Sequence, residues 1–330
     1  MNALKVGIDN YSLNALNLPP LECLQYAQEF NLEGVSFSGL IPEDRNLICS
    51  DYLHDLSEYA EHNDLYIEWG SAQHIPRDMS NWATKDVFKA NEEVAIEAET
   101  LGVRIVRSCS GGLMRWHDSS PPTETLLRET AKALLAQRSM LREHNVILAI
   151  ETHFEFTTFE LRRLLEMCEA EPGDWLGICL DTMNLLIMLE DPTMATERIL
   201  PWVISTHIKD GGIILDPKGM RTFTTPIGSG VVDFPQIFRL LEKLDQEINL
   251  NIEDHGGDFL LPVFDPLFLS KFPDLSVQEF ARLLELAQMS DTMVANRVIA
   301  ILPREKWAEH CSDRLYTDEN NMRNLLNGLY

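Results

Sequence analysis

The sequence predicts a (β/α)8 barrel with a helical C-terminal extension, and three observations support this fold class. Eight short apolar segments recur along the 330 residues, and stretches with helical spacing of apolar residues separate them. Eight strands that alternate with helices are the count of such a barrel. A doubly wound open sheet also alternates, but it often has a glycine-rich phosphate loop after its first strand. The segment "GIDNYSLNALN" is not such a loop.

Each predicted strand is a run of mostly apolar residues that ends at a polar or glycine-containing segment. Short continuous apolar runs such as "VILAIE" and "LGICLD" are typical of buried strands. The predicted strands are residues 4–9, 34–39, 65–70, 103–108, 146–151, 176–181, 203–210 and 250–254.

The predicted helices carry recognisable start signals. "TTFELRRLLEMCEA" begins with Thr157 or Thr158 as the N-cap, and "DFPQIFRLLEKLDQE" has Asp233 at the cap and Pro235 in the first turn. Residues 256–275 are rich in Pro, Phe and Leu and are too long for a tight turn, so we expect an elaborated loop after the eighth strand. We assign residues 1–290 to the barrel and residues 291–330 to the helical extension, which caps the barrel or contacts another subunit.

Composition excludes several classes of protein. The net charge of −25 disfavours binding to nucleic acid and to anionic membranes. There is no run of about 18 apolar residues, so no membrane span is predicted. None of the six cysteines lies in a CxxC pair, which favours reduced thiols and a cytoplasmic location.

Four consecutive strands end in residues that bind metals. Strand five ends in Glu151 and strand six in Asp181, while strand seven carries His207 and strand eight Glu253 near their ends. The carboxyl ends of barrel strands meet at one rim, and strand parity directs these side chains inward. Three converging carboxylates repel one another unless a cation lies among them. The sequence therefore predicts one divalent metal ion, held by three oxygen ligands and an imidazole.

These segments resemble a known family. "IETH" is similar to the family's signature after strand five, "ICLDTMN" to its Asp-x-x-Asn ending of strand six, and "STHIKD" to its strand-seven histidine followed by Lys-Asp. "IGSGVVDFPQIF" is similar to its glycine-rich approach to helix seven, and "LNIED" supplies the strand-eight glutamate. Over about residues 4–290, the chain resembles the sugar phosphate isomerase/epimerase family, the xylose isomerase-like TIM barrels.

The resemblance implies a metal held by Glu151, Asp181, His207 and Glu253, with Mn, Mg or Co favoured and Zn or Fe as alternatives. In the ketose 3-epimerases of the family, the two glutamates also act as acid and base. Carried over to this chain, Glu151 and Glu253 would move a proton at the carbon beside a carbonyl, through a metal-stabilised enediolate. The implied function is an isomerase or epimerase of a small keto-sugar or polyol. The family habit and the helical tail indicate a homo-oligomer, a dimer or tetramer.

Two departures from the family pattern leave other functions open. Asn184 stands where ketose 3-epimerases often carry a histidine, and "HIKDGGIIL" offers Lys209 but no arginine. A dehydratase or lyase acting on a keto-sugar or keto-inositol begins with the same proton abstraction and is the main alternative. An endonuclease IV-like phosphodiesterase wants about three metals, more rim histidines and a basic surface. A non-catalytic sugar binder would be expected to lack one of the four ligands.

Five further residues are candidates for contact with a carbohydrate substrate. Trp69, at the end of strand three, could stack on a sugar face, and Arg107, at the end of strand four, could bind a hydroxyl or phosphate. Strand parity directs Lys209 inward, towards a substrate oxygen. His153 and Asn184 follow the strand-five and strand-six ligands and complete the set.

Overall fold

The computed structural model describes residues 4–329, and its centre is a closed barrel of eight parallel strands in the order β1-β10-β7-β6-β5-β4-β3-β2. This confirms the predicted fold class. In chain order the strands are β1 (Leu4–Asp9), β2 (Gly34–Ser36), β3 (Tyr66–Ala72), β4 (Ile105–Ser108), β5 (Ile147–Glu151), β6 (Leu176–Asp181), β7 (Val203–Ile208), β8 (Asp210–Asp216), β9 (Gly219–Thr225), β10 (Ile248–Ile252) and β11 (Asp258–Leu261).

Helices surround the barrel and also cover part of its carboxyl-terminal rim. The longer ones are α1 (Pro20–Glu29), α2 (Ser50–His62), α3 (Phe88–Leu101), α4 (Thr123–Glu143), α5 (Thr158–Met167), α6 (Pro192–Ile199), α7 (Phe234–Leu241), α8 (Val277–Ala295) and α9 (Trp307–Asn327). Short helices are Asn10–Leu13, Pro42–Arg45, Asn184–Ile187 and Pro266–Leu269. None of the helices in residues 4–329 combines the length and apolar character needed to cross a membrane.

The barrel strands are buried on both faces, as parallel strands covered by helices should be. Every residue of β5, β6 and β7 is buried. Apolar residues that face outward pack against the helices in the main core. Towards the rim the inward side chains are polar, whereas Ile147, Ala149 and Cys179 belong to a small separate apolar cluster deeper in the barrel. Glycine is required at one point: a Cβ on Gly177 would lie 2.6 Å from the Ile204 side chain. This polar interior provides the walls of the site at the rim.

Two helix starts form as the sequence predicts. The Thr157 hydroxyl accepts a hydrogen bond from Glu160 N (3.3 Å), and the Glu160 carboxylate accepts one from Thr157 N (2.8 Å), which is a capping box at the start of α5. Asp233 accepts from Gln236 N at the start of α7. Both caps fix the direction in which the chain leaves the rim.

A three-stranded antiparallel sheet after β7 was not predicted. The expected strand of residues 203–210 ends at Ile208, and β8 and β9 then form a hairpin that pairs with β11 in the order β11-β9-β8. Helix α8 packs on β8, where Ile213 N donates to Ser290 Oγ (3.1 Å). Sheet and helix share a second hydrophobic core, separate from that of the barrel. The loop expected at residues 256–275 is part of this layer.

The C-terminal helix α9, part of the predicted helical extension, packs against the barrel core. Residue 291 lies inside α8, and buried residues of α9, such as Cys311 and Leu315, are members of the main core. The Tyr26 hydroxyl of α1 donates to Glu319 of α9 (3.0 Å). The chain therefore inserts the β11–α8 layer after the eighth barrel strand, and α9 then returns to pack against α1.

Candidate metal centre

Four buried side chains converge at the carboxyl-terminal rim, at the ends of β5, β6, β7 and β10. Glu151, Asp181, His207 and Glu253 each offer a ligand atom, and these atoms all lie within 4.8 Å of one another. The register places them together, because Asp181 is level with His207 and Glu151 is level with Cys179 in the neighbouring strand. The sequence grouped the same four residues from strand ends alone.

His207 lies at the centre of the group with no exposed surface. Its Nδ1 is 3.4 Å from Glu151 Oε1 and 3.8 Å from Glu253 Oε2. Its Nε2 faces the opposite way, 3.3 Å from Asp9 Oδ2. The ring can therefore offer Nδ1 to a metal while a carboxylate faces its second nitrogen, the usual arrangement for metal-bound histidines.

Asp9 is a residue that reasoning from the sequence missed. It ends β1 and is fully buried. Its Oδ1 accepts hydrogen bonds from Tyr11 N (2.9 Å) and Ser38 Oγ (2.8 Å), which leaves Oδ2 directed at His207. The signal was present, because "LKVGID" ends in an acid just as strands five and six do.

Asp181 is fixed by the backbone of the turn that follows it. Its Oδ1 accepts from Met183 N (3.0 Å) and Asn184 N (2.8 Å), and its Oδ2 lies 2.8 Å from Lys209 Nζ. Burial raises the pKa of Asp181 to about 6, against the opposing effect of Lys209. The carboxylate is therefore held rigidly, with one oxygen aimed into the group.

Two cations from neighbouring strands lie against the glutamates. Arg107 contacts Glu151, and Lys209 Nζ lies 2.5 Å from Glu253 Oε2. Burial alone would raise the pKa of Glu151, but Arg107 and His207 hold it well below its usual value. Burial also opposes ionisation of Glu253, and Lys209 lowers its pKa despite that. Both glutamates are thus carboxylates at neutral pH.

The donor set fits a divalent metal ion. Among the described residues, the buried Nδ1 of His207 has no partner with hydrogen-bond geometry, and it faces the carboxylates of Glu151 (3.4 Å) and Glu253 (3.8 Å). Buried polar atoms are normally paired, so an unpaired nitrogen that faces two carboxylates indicates a missing partner. Three carboxylates and one imidazole suit Mn, Mg, Co, Fe or Zn.

A cavity of about 380 Å³ opens above the four ligands, and Glu151 and Glu253 form part of its lining. Four of the five residues predicted to contact substrate also line it: Arg107, His153, Asn184 and Lys209. Phe259 of β11 and Thr224 of β9 close one side. The unpredicted sheet therefore supplies a wall of the cavity.

Trp69, the fifth predicted substrate contact, lies elsewhere. It is 2% exposed, its ring is 5.5 Å from that of Phe37, and its Nε1 donates to Glu97 of α3 (3.0 Å). The side chain thus packs between the barrel and α3, away from the cavity. Alternation along β3 explains this orientation, because the preceding Glu68 faces the barrel interior and contacts Ser205 and Asn249.

A second cluster beside the cavity consists of Cys109, His153 and Glu155. The His153 Nδ1 lies 2.9 Å from Glu155 Oε2, and Glu155 Oε1 accepts hydrogen bonds from the backbone of residues 110–112. Glu155 thus orients the imidazole that lines the cavity. The sequence singled out His153 but gave no reason to select Glu155.

Comparison with known proteins places the chain in a family. Residues 24–286 match the model of the xylose isomerase-like TIM barrel. The chain belongs to this family. The match covers every strand of the barrel except β1, and it includes all four residues of the candidate metal centre.

Two curated relatives are similar in sequence. The 3-oxo-isoapionate decarboxylase of Pectobacterium atrosepticum is 26% identical over 159 residues, which is 47% of this chain and 54% of that protein. The chain thus matches about half the length of that relative. The uncharacterised protein YihM of Escherichia coli is 23% identical over 309 residues, which is 93% of this chain and 85% of that protein.

Solved structures with the same fold include enzymes of different reaction types. The probable 3-DHS dehydratase AsbF of Bacillus anthracis has a TM-score of 0.58 at 16% identity, covering 81% of this chain and 97% of that one. D-psicose 3-epimerase of Clostridium cellulolyticum, solved with D-tagatose, has a TM-score of 0.60 at 9% identity, covering 87% and 99%. A magnesium-bound barrel protein of Mycobacterium smegmatis has a TM-score of 0.57 at 14% identity, covering 87% and 98%.

Proposed function

We propose that this chain is a divalent-metal-dependent isomerase or epimerase of a small keto-sugar or polyol, acting by proton abstraction beside a carbonyl. The observation that carries this proposal is the convergence of Glu151, Asp181, His207 and Glu253 beneath one cavity. The four would hold the metal, and two of them also face the space where a substrate would lie. The family is one of sugar-modifying enzymes, which agrees with this chemistry.

The two glutamates are suited to move the proton. Arg107 and Lys209 hold both glutamates in the ionised form that a base must have before the reaction. One glutamate takes the proton from the carbon beside the carbonyl. In epimerisation the other glutamate takes a proton from water and delivers it to the opposite face of that carbon, and the first releases its proton to solvent; in isomerisation the protonated glutamate returns its own proton to the neighbouring atom. A bound metal ion would polarise the carbonyl and stabilise the negative charge of the enediolate.

The remaining residues of the cavity would bind and orient the substrate. We assign this role to Arg107, His153, Asn184 and Lys209, which all line the cavity. Arg107 and Lys209 each have one face against a glutamate, so they can place substrate hydroxyls beside the group that moves the proton. His153, oriented by Glu155, presents its ring to the same space.

A dehydratase or lyase reaction is the second candidate, and specific residues favour it. Asn184 occupies the position of the histidine found in many ketose 3-epimerases, and no arginine follows His207 within the next several residues. A relative is a decarboxylase and a structural neighbour is a probable dehydratase. Elimination starts from the same enediolate and expels a group from the adjacent carbon instead of accepting a proton there.

The test is solvent exchange in D₂O. The Mn²⁺-loaded protein is incubated with a panel of keto-sugars and keto-inositols, and the products are examined by NMR. We expect deuterium at the carbon beside the carbonyl. An epimer or isomer that carries deuterium supports the first candidate, and an unsaturated product supports the second.

A matched pair of variants controls this experiment. Glu151→Gln should abolish exchange, whereas Glu68→Gln changes an equally buried glutamate that contacts neither cavity nor metal ligands and should retain it. Turnover with no deuterium in any product would contradict proton abstraction, as would full exchange by the Glu151→Gln protein.

A further inference from the structure

The cavity contains three strongly basic side chains, and their partners differ. Arg107 contacts Glu151, and Lys209 lies between Asp181 (2.8 Å) and Glu253 (2.5 Å). Arg304, which lines the same cavity, forms no ion pair with any carboxylate among residues 4–329. Two cations are therefore neutralised by the acids of the metal centre, while the third keeps its charge.

Neutral groups hold the Arg304 side chain in place. Its Nη1 donates to the Tyr11 hydroxyl (3.2 Å), and its guanidinium lies 5.8 Å from the centre of the Tyr11 ring. Its Nη2 contacts His255 Nδ1. These contacts orient the guanidinium without cancelling its charge, and a guanidinium has five N–H donors to satisfy. Donors that face the cavity remain available to a ligand.

The backbone that carries Arg304 is fixed to the loop that follows the metal ligand Glu253. Gly257 N donates to Leu302 O (2.8 Å), and Asp254 pairs with Arg314 of α9 (2.8 Å). Gly256, at φ +62°, permits the approach, because a Cβ there would lie 3.2 Å from Leu302 O. The C-terminal segment is thus held at a constant position relative to the metal centre.

We propose that Arg304 binds an anionic group, a carboxylate or a phosphate, of the substrate. Arginine binds the two oxygens of such groups with paired N–H donors. An arginine that lines a cavity and has no carboxylate partner is therefore suited to bind an anionic ligand. The inference rests on the proposed function, in which the carbonyl end of the substrate lies at the four candidate metal ligands. The substrate is then a sugar acid or sugar phosphate rather than a neutral ketose.

The overall charge makes a local cation more important. The chain carries a net charge of −25, so its long-range field repels an anionic substrate. Arg304 is exposed at the mouth of the cavity, and its charge acts at short range, within a Debye length of about 8 Å, on a group that arrives there. Arg304 therefore offsets the repulsion at the point where the anionic group arrives.

The binding test uses small anions and two arginine variants. Wild-type protein, Arg304→Gln and the control Arg128→Gln are titrated with malonate, inorganic phosphate and glycerol by calorimetry at constant ionic strength. Arg128 is an exposed α4 residue paired with Glu124 (3.2 Å), so its loss removes the same charge far from the cavity. Each titration is run on Mn²⁺-loaded and on chelator-treated full-length chain, because malonate also binds free metal.

We expect Arg304→Gln to weaken the binding of at least one anion about tenfold or more, as loss of a charge-assisted hydrogen bond does. Arg128→Gln should bind as the wild type does, and glycerol should not distinguish the proteins. If Arg304→Gln weakens the binding of malonate more than that of phosphate, the substrate is a sugar acid. The reverse order indicates a sugar phosphate. Equal anion binding by wild type and Arg304→Gln, or no anion binding by either, overturns the proposal.

A kinetic readout separates this proposal from the proposed function. For a carboxylated or phosphorylated substrate found by deuterium exchange, Arg304→Gln should raise KM about tenfold with little change in kcat, and Arg304→Lys should recover part of the loss. If anion binding depends on Arg304 but the protein shows no exchange activity, only the proposed reaction is refuted. Exchange of neutral ketoses at rates that Arg304→Gln leaves unchanged refutes only the anion site.

Discussion

Buried carboxylates at two levels of the same barrel have different hydrogen-bonding and charged partners. At mid-depth, Glu68 of β3 accepts hydrogen bonds from Ser205 Oγ (2.5 Å), Asn249 Nδ2 (2.7 Å) and Asn251 Nδ2 (3.1 Å). At the rim, Glu151 and Glu253 of the candidate metal centre lie instead against the cations Arg107 and Lys209, and both face the ring of His207. Burial alone therefore does not mark a metal site.

The pKa values follow the same division. Burial raises the pKa of Glu68, and hydrogen bonds from Ser205 and the two asparagines only partly oppose it. At the rim, Arg107 and Lys209 overcome the effect of burial and lower the pKa values of Glu151 and Glu253. Hydrogen bonds from neutral groups thus make Glu68 a structural acid, whereas nearby charges keep the rim acids ionised and open to a metal.

The largest effect should come from the rim. Glu151→Gln or Glu253→Gln should lower kcat by about a thousandfold, within the usual range for loss of a general acid or base. The fold should persist, because glutamine has the same size. The measurement is kcat on a substrate that shows deuterium exchange, together with circular dichroism. Unaltered activity in either variant would remove that residue from the mechanism.

At mid-depth the effect should fall on stability instead. Glu68→Ala removes the acceptor from the buried Ser205 and Asn251 and from the half-buried Asn249, and should lower the free energy of unfolding by about 3 kcal/mol. Glu68→Gln keeps one acceptor oxygen and should cost less. Urea denaturation measures both, and metal content should stay at the wild-type value. Loss of metal in Glu68→Ala without loss of stability would break the distinction between the two groups.

His74 extends the comparison to a buried base with a neutral partner. Its Nδ1 lies 3.1 Å from Ser108 Oγ, and burial lowers its pKa to about 4 from 6.5. The unfolded chain takes up the proton first, so stability is complete above pH 6.5 and is lost as the pH falls towards 4. The loss should amount to roughly 3 kcal/mol and should be absent in His74→Gln. If the free energy of unfolding varied with pH in parallel in the wild type and in His74→Gln, His74 would not be the source of the loss.

The smallest effect should come from Trp69, outside the cavity. Trp69→Phe removes the hydrogen bond to Glu97 and should lower the free energy of unfolding by about 1 kcal/mol. The KM for substrate should not change, because the indole does not line the cavity. A rise in KM of tenfold would restore the predicted sugar contact.

The sequence predicted what depends on local pattern. The four residues of the candidate metal centre could be predicted from strand ends, because every barrel strand brings its last residues to the same rim. Asp9 obeyed the same rule, but only strands five to eight were considered. Trp69 was interpreted from its strand-end position alone, although alternation with Glu68, which faces the barrel interior, directs its side chain outward.

Long-range packing was the part that sequence patterns could not supply. "DGGIILDPKGMRTFTT" contains a turn signal, yet its pairing with β11 joins segments about 40 residues apart, which no local pattern specifies. The helical pattern of α9 was correct, but its place beside α1 follows from the inserted β11–α8 layer. Arg304 was missed for the same reason, since only this return of the chain brings it to the cavity.

Metal content per chain is the most direct test of the central claim. Protein purified without chelator, and again after dialysis with Mn²⁺, is measured by elemental analysis alongside His207→Ala and Glu68→Gln. We expect about one divalent ion per chain in wild type and Glu68→Gln, and none in His207→Ala, which loses the nitrogen ligand. No ion in the reconstituted wild type, or an ion that His207→Ala retains, would mean that the four rim residues do not form a metal centre.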